Sequence, residues 1–415
     1  MKKSENDKKL KLLICSLLVP YDSVAHAGGQ THNYYVKRLK KETSIDIHLV
    51  TFANSSEKPL VDLNKHGISN SVIYLGNQNI PNRIIRKTIT KVNKYFPKTN
   101  YWGFFSGFQK YLLLKELKKL KKYGYAPDII ELNWTQIAFF FPLIKKIFPS
   151  AKYYAVEQDV SFLRYERLYM LENDKHKRNI EKLKYDMIKK NEISVLRNFD
   201  KVFVFNEKDK KLLLENGIQD SLVMVLVPYF KNFSFPLTAE KRNMILFYGA
   251  MARKENHMAA IWFIEKVFPL LDDTNFVFIV LGSNPHLELL EYQNDRIIIT
   301  GYQSDVQMYF EKALCLVAPL ELGAGIKIKV LEALSAGIPV LGTEVASEGI
   351  NVTQGIDFFY CKMPSEYVET IKALYNNIGL KMSVGLAARE LTNKNYNFDE
   401  SFQQYVGILH SMAKQ

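Results

Sequence analysis

The residues most able to do chemistry lie in "ELGAGIKIKVLEALSAGIPVLGT", residues 321–343. Gly323 and Gly325, on either side of Ala324, permit positive φ and let a polar group approach the backbone closely. They follow the strand-like run "LCLVAPL" and precede a helical run from about Lys327 to Ala336. In that setting the free N–H groups of Gly325, Ile326 and Lys327, with the positive end of the helix, form a seat for an anion. Lys327 and Lys329 stand two apart, so on a helix they point to different sides; one reaches the anion and the other is expected in solvent. Glu332, further along the helix, cannot favour a phosphate but can accept bonds from two neighbouring hydroxyls, as on a ribose. A phosphate at the glycines and a diol at the glutamate describe a nucleotide. The phosphate loop of the NTPases is excluded, since no G-x-x-x-x-G-K-[ST] occurs.

Other candidates surround this core. Glu157 and Asp159 in "VEQD" follow a strand-like run and read either as carboxylates at a site or, for Asp159, as a helix cap. His26, beside Gly28 and Gly29, is equally a sugar contact or a packing residue of its loop. His257 stands next to Asn256 at a helix start, and Glu321 reads as a solvated charge. No His/Asp cluster with metal-ligand spacing lies near the motif and no Asp-x-Asp is present, so neither a metal nor another cofactor is expected.

The elements that must position these groups alternate along the chain. "KLLICSLLV", "DIHLVTFA", "NSVIYLG", "PDIIELNW", "AKYYAVEQ", "DKVFVFN" and "LVMVLVPYF" read as strands, separated by helical stretches such as "THNYYVKRLKKE" and a long basic helix ending at Gly124. A polar stretch with one proline, residues 231–243, reads as a linker. The alternation then restarts with "MILFYGAM", "FVFIVLG", "RIIITG", "LCLVAPL" and "PVLGT". Two such runs imply two doubly wound, Rossmann-like α/β domains facing a cleft, with ligands at the carboxyl ends of the strands. The expected division is 1–235, 236–395, and a C-terminal helix over 396–415 packing back on the first domain.

The bulk numbers agree with a two-domain globular protein: 415 residues, 47% hydrophobic and 24% charged. A net charge of +13 favours an anionic partner such as nucleotide phosphates, nucleic acid or an acidic membrane face. Only three cysteines occur, without a C-x-x-C pair, which points to a reducing compartment and away from a structural metal. The first apolar run, Leu12 to Val19, is short and leads into Pro20-Tyr21-Asp22, so it reads as a first strand and not a signal peptide. A cytoplasmic location follows. The basic aromatic region 94–122, with Trp102, Phe104, Phe105 and Phe108 beside a lysine-laden helix, has two readings. It is either a face that docks on an anionic bilayer at the inner side of the plasma membrane or a helix with a solvated lysine face.

"GAGIKIKVLEALSAGIPVLGTEVASEGI" resembles the nucleotide-sugar signature of GT-B glycosyltransferases, especially the retaining family 4 group (glycosyl transferases group 1). "HAGGQTHNYYVKRL" is similar to that family's Gly-Gly loop of the acceptor domain. "ILFYGAMARKENHMAAIWFIEKVFP" and "VLGSNPH" resemble the opening of its donor domain. The resemblance covers nearly the whole chain and implies the GT-B fold. It implies that Gly325, Ile326 and Lys327 contact the donor diphosphate, that Glu332 binds the ribose, that Gly282, Ser283 and Tyr302 lie by the base, and that Gly28 and Gly29 face the donor. Departures from the family pattern are Ala324, where relatives often carry a first glutamate, Gln158, where a histidine often stands, and Gly249-Ala250 in place of Gly-Arg. Arg253 or Lys254 is expected to supply the missing cation.

The implied activity is transfer of a sugar, with retention, from a UDP- or GDP-linked donor to a glycan or lipid-linked acceptor in bacterial surface polysaccharide synthesis. Cations and N–H donors would stabilise the departing diphosphate without a metal. A nucleotide-sugar epimerase of the same shape is the alternative. A nucleic-acid-binding protein is suggested by charge alone, with no recognition motif to support it.

Overall fold

The computed structural model describes residues 9–24, 26–76, 87–88, 107–271, 276–323 and 325–414. Trp102, Phe104 and Phe105 of the basic aromatic region, and Ala324 of the glycine loop, lie outside the described residues. The chain divides into two compact units. The first comprises Met1–Val24, Gly28–Leu226 and Asp399–Gln415; the second comprises Ala25–Ala27 and Val227–Phe398.

In the first unit the strands are β1 (Leu10–Ser16), β2 (Ile45–Ala53), β3 (Ser69–Tyr74), β4 (Ile129–Asn133), β5 (Lys152–Val156), β6 (Lys201–Val204) and β7 (Val223–Val225). They form one parallel sheet in the order β3-β2-β1-β4-β5-β6-β7. The order reverses at β1, whose Leu12 is aligned with Ile47 on one side and Ile129 on the other. Such a reversal opens the crevice in which doubly wound sheets bind ligands. Helices pack on the sheet, so strands such as β4 are buried along their whole length and read as continuous apolar runs. The helices are α1 (Ala27–Lys41), α2 (Gly107–Lys122), α3 (Thr135–Ala138), α4 (Phe141–Ile147), α5 (Ser161–Leu171), α6 (Lys175–Leu196) and α7 (Glu207–Glu215). Helix α2 buries Phe108, Leu112, Leu113 and Leu117, while its lysines stay outside, and Gly124 at φ 80° ends the turn that follows.

The second unit repeats the plan with β8 (Met244–Tyr248), β9 (Val277–Leu281), β10 (Ile297–Gly301), β11 (Ala313–Ala318), β12 (Val340–Gly342) and β13 (Phe359–Tyr360). Its parallel sheet runs β10-β9-β8-β11-β12-β13, reversing at β8. The accompanying helices are α8 (Lys254–Lys266), α9 (Leu287–Leu290), α10 (Gln307–Lys312), α11 (Ile328–Ser335), α12 (Pro364–Asn376) and α13 (Ile378–Asn395). The stretch 231–243 forms neither helix nor strand, yet Phe233 and Phe235 are buried in this unit's core and Phe233 stacks on Phe310 at 4.7 Å. Cys15, Cys315 and Cys361 are all buried and free.

The last helix, α14 (Phe398–Lys414), returns from Asp399 onward to the first unit. Tyr405 inserts among Tyr35, Tyr154 and Phe203, and Arg38 lies over the Phe402 ring at 4.5 Å. The Tyr405 hydroxyl donates to Glu131 Oε2 at 3.2 Å, and the Tyr154 hydroxyl donates to the same oxygen at 2.5 Å. Burial pushes the Glu131 carboxyl above its ordinary range, and these hydroxyls partly offset the shift. Among the described residues, no helix is long and apolar enough to cross a membrane.

Tyr405 thus supplies both core volume and a bond to a buried carboxyl. Tyr405→Ala is expected to destabilise the first unit by about 3–5 kcal/mol, and Tyr405→Phe by less. Chemical denaturation followed by tryptophan fluorescence in a Trp262→Phe background, which removes the second unit's tryptophan, checks this, and an unshifted midpoint for the alanine variant would refute the docking role of α14.

Candidate functional site

In the second unit, the carboxyl ends of the central strands β8 and β9 are pressed together. Gly282 has φ 151°, and a Cβ there would lie 1.6 Å from the Gly249 carbonyl oxygen. Only glycine fits such an approach, so both glycines are needed for backbone reasons before any ligand is considered. Met251 N–H donates to the Ser283 carbonyl at 2.9 Å and locks the two loops together. Asn256, on the first turn of α8, donates through Nδ2 to the Ala250 carbonyl at 2.8 Å.

The glycine loop opens beside this pair. Gly323 has φ 114° and Gly325 has φ 70°, the left-handed conformations that the sequence implied. Helix α11 begins at Ile328, with Lys327 as its N-cap and no capping hydrogen bond from that side chain. A helix end left in this state favours an anion. Lys327 donates to its own loop, Nζ to the Gly325 carbonyl at 2.5 Å, and pairs with Glu348 at 3.5 Å. Both side chains of that pair are nearly inaccessible.

Lys329 is not in solvent as expected. Its Nζ donates to Asn256 Oδ1 at 2.7 Å and lies 4.7 Å from the Phe247 ring centre. It is also 3.0 Å from where a Gly249 Cβ would stand. Burial first, then the charges of Arg253 and Lys327, lower its pKa to about 7. Lys329 thus places a further cation from α11 beside the Gly249–Ala250 turn, near the expected Arg253 and Lys254. Arg253 pairs with Glu255, and Lys254 is exposed.

Glu332 is buried on α11, where its Oε1 accepts from the Lys231 backbone N–H at 3.2 Å. Burial raises its pKa to about 7, opposed by that N–H and by the Lys231 charge. Ile326 packs against the core, Gly282 and Ser283 follow β9, and Tyr302 follows β10 with 65% of its surface exposed. His26 clusters with this unit; burial, then the Arg253 charge, hold its imidazole below the ordinary range.

The first unit holds the other candidates. Gly28 and Gly29 do not form a loop: they occupy the first turn of α1. A Cβ at Gly28 would lie 3.3 Å from Gln158 Oε1 and 3.7 Å from the Trp134 ring, so glycine lets this helix sit close to the ends of β4 and β5. Gln158, where relatives often carry histidine, donates to Asn133 Oδ1 at 2.9 Å, and Asn133 Nδ2 lies 3.0 Å from His32 Nδ1. Trp134, directly after β4, has φ 76°, a strained conformation for a bulky residue that tends to accompany functional sites.

Glu157 is buried, not displayed. Its Oε2 accepts from the Thr135 hydroxyl, which is 2.7 Å from the Ser161 hydroxyl. Its other neighbour is Glu192 of α6, whose two oxygens accept from the N–H groups of Ser161 and Phe162 at 2.8 and 2.9 Å. Glu192, not Asp159, thus caps α5. Among the described residues Glu157 Oε1 meets no donor; a proton shared between the two carboxyls would satisfy both. Burial raises both pKa values, that of Glu157 to about 8, with the nearby Asp159 charge adding to the shift.

Sequence reasoning missed Glu192, Glu348 and Asn256 as partners of candidate groups. Asn256 had a visible signal, standing at a helix start after a glycine-bearing strand end; the other two lie far along the chain from what they contact. Metal-ligand spacing was equally invisible. Yet His257, His286 and Glu288 come together in space, and Asp22, Asp62 and His66 form a second group.

The same architecture occurs in proteins of known structure. A solved glycosyltransferase from Rickettsia africae superposes with TM-score 0.66 at 16% identity, covering 98% of this chain and 99% of its own. Anabaena Alr3699/HepE, solved in complex with UDP-glucose, gives 0.67 at 12% identity over 97% of this chain and 100% of its own. The fold is therefore α/β GT-B, with two doubly wound units. Residues 242–377, within the second unit, match the family described as Glycosyl transferases group 1. Among curated sequences, an uncharacterized 44.6 kDa protein in the cps region of Klebsiella pneumoniae is 24% identical over 303 residues, 70% of this chain and 75% of its own.

The Glu157–Glu192 pair carries a sign. A carboxyl whose folded pKa is raised contributes stability that is full below its unfolded value, near 4.5, and is lost as pH rises through about 8. Glu157→Gln should flatten the fall in melting temperature between pH 5 and pH 8.5, because the amide needs no proton. Parallel profiles for the two proteins would rule out the shared proton.

Proposed function

We propose that the protein transfers a glycosyl group, with retention, from a UDP- or GDP-linked donor to a glycan or lipid-linked acceptor in bacterial surface polysaccharide synthesis. The observation that carries this reading is the clustering at one edge of the second sheet. The uncapped start of α11, Lys327, Lys329 and the Gly249–Gly282 crossing meet there, with buried Glu332 further along the same helix. The glycine loop and α11 N–H groups receive the diphosphate, with Lys327 and Lys329 as its cations. Glu332 accepts from the ribose hydroxyls, and Gly282, Ser283 and Tyr302 border the base.

The chemistry asked of the protein is stabilisation of a departing diphosphate. Fixed N–H donors and half-buried cations do this better than mobile ones, because their orientation is established before the reaction begins. The acceptor hydroxyl attacks on the leaving group's face and gives its proton to the diphosphate, so no dedicated base is required. Lys327 and Lys329 meet the leaving-group charge, and turnover is expected to persist in EDTA. Acceptor recognition falls to the first unit, around Gly28, Trp134 and Gln158. A protein of this kind works in the cytoplasm, at the inner face of the plasma membrane where the acceptor is lipid-linked. Two relatives support this assignment: HepE was solved with UDP-glucose bound, and the Klebsiella protein belongs to a cps region.

A panel of nucleotide sugars, scored by thermal shift and by product formation with and without acceptor, tests the proposal. Failure of every donor to stabilise the protein would overturn it, and turnover of donor without acceptor would favour the epimerase. Glu332→Ala should weaken donor binding tenfold or more, by roughly the 1.4 kcal/mol that a lost buried hydrogen bond costs. Lys327→Ala should lower kcat more than it raises KM, since its charge acts on the leaving group. Near-normal kcat in that variant would remove the lysine from the mechanism.

Lys329 adds a thermodynamic signature. Its depressed pKa, about 7, leaves it mostly neutral at pH 8 in the free protein. A bound diphosphate favours the ammonium, so UDP binding at pH 8 should take up a fraction of a proton, seen by calorimetry in buffers of different ionisation enthalpy. Lys329→Met should abolish the uptake; uptake unchanged in that variant would place the proton elsewhere.

A further inference from the structure

The loops that cross at Gly249 and Gly282 continue into a group of side chains that the glycosyl-transfer reading does not use. His257 lies on the first turn of α8, and His286 and Glu288 lie at the start of α9. Their side chains lie together: the two imidazoles stack face to face with centres 4.5 Å apart and planes 14° from parallel, so the His286 ring must turn out of the stack for both to bind one ion, and His286 Nδ1 is 3.9 Å from Glu288 Oε2. One donor atom from each of the three residues lies within 4.8 Å of the others. We propose that His257, His286 and Glu288 form a site for a single divalent transition-metal ion, zinc or cobalt in class, that braces the two loops carrying Gly249 and Gly282.

The second observation that points to a ligand is the tautomer of His257. This buried ring faces the Met251 carbonyl through Nδ1 at 3.3 Å. A carbonyl only accepts, so Nδ1 carries the proton and Nε2 is left with its lone pair. A metal-binding histidine is held in this way, by a backbone carbonyl on its other nitrogen. The loop bearing His286 is set by Asn284 at φ 52° followed by Pro285, and by the Met251–Ser283 backbone bond. The His257 ring is therefore fixed before an ion arrives, and the backbone that carries His286 is set. The third group, Glu288, selects a cation over an anion.

The donor set decides the class. Two imidazoles and one carboxylate suit zinc and its neighbours, whereas magnesium and calcium take oxygen ligands. Donors around a tetrahedral zinc stand about 3.3 Å apart, given zinc–nitrogen bonds of about 2.0–2.1 Å. Closing to that spacing needs only side-chain rotation at His286 and Glu288, whose side chains are 52% and 59% exposed. The other group brought together by the fold, Asp22, Asp62 and His66, differs: Lys37 Nζ already sits on both aspartates and serves as its cation. The bracing role lies outside the chemistry at Lys327, so it stands or falls separately from the proposed reaction.

The test uses the full-length, tag-free chain and the metal alone. Cobalt(II) titration should give saturable one-to-one binding with the visible bands of a four- or five-coordinate nitrogen–oxygen site, displaced by zinc, and zinc should raise the melting temperature. His286→Ala and Glu288→Ala, at exposed positions that do not threaten folding, should each weaken binding roughly tenfold or more. Magnesium should neither displace cobalt nor stabilise the protein. No saturable binding, or binding unchanged in both variants, would overturn the proposal whatever the activity toward nucleotide sugars.

Discussion

The approach of the Gly282 backbone to the Gly249 carbonyl is the constraint on which the second unit's candidate site depends. A side chain at position 282 would collide with a carbonyl oxygen, and one at 249, where φ is 155°, would be strained and would crowd Asn256 and Lys329 at 3.0 Å. Because neither side chain exists, two neighbouring strands of a parallel sheet can end at nearly the same point. The loops that leave them then run outward together, joined by the Met251–Ser283 bond. Every group assigned to the nucleotide stands in relation to that crossing. Asn256 braces one loop from α8, and Lys329 reaches it from α11.

The first unit meets a different problem, that of holding polar and acidic groups inside an apolar sheet. Glu131 is bonded by Tyr154, Tyr405 and Asn133, and Glu192 is spent on the start of α5. A buried carboxyl without such partners would cost several kcal/mol. The network instead ties α14 to β4 and β5, and from Asn133 it continues through Gln158 to the glycine turn of α1. The replacement of a histidine by Gln158 fits this arrangement. An amide donates and accepts at once, and it keeps the end of β5 joined to β4 at any pH.

Much of the fold was legible because its signals are local. Parallel strands buried on both faces read as apolar runs, and the alternation with helices fixed the class. Gly323, Gly325, Lys327 and Glu332 were legible for the same reason, being contained in one strand–turn–helix unit. What failed to show was long-range. The spacing of Lys327 and Lys329 suggested a solvated partner, but Asn256, over seventy residues away, draws Lys329 inward. Asp159 had the type and place of a cap, yet Glu192 from the next helix took the role. Gly28 and Gly29 read as a loop because paired glycines usually break helices; here the closeness of Trp134 and Gln158 rewards a helix without side chains.

The positive charge of the chain also acquires a local meaning. A net charge of +13 says only that an anion would be welcome. Near α11 the cations are already arranged: Lys327 is held by Glu348 and the Gly325 carbonyl, Lys329 by Asn256 and the Phe247 face. Neutral or oppositely charged partners that hold each lysine keep the helix end from repelling itself without a ligand. They also fix where each ammonium stands. In the proposed reaction, a diphosphate arriving at this edge would replace Glu348 as the counter-charge for Lys327 and restore the proton that burial removes from Lys329. Under the proposed reading, the anion takes over from partners that already fix where each lysine stands, so little rearrangement is asked of this corner when the ligand binds.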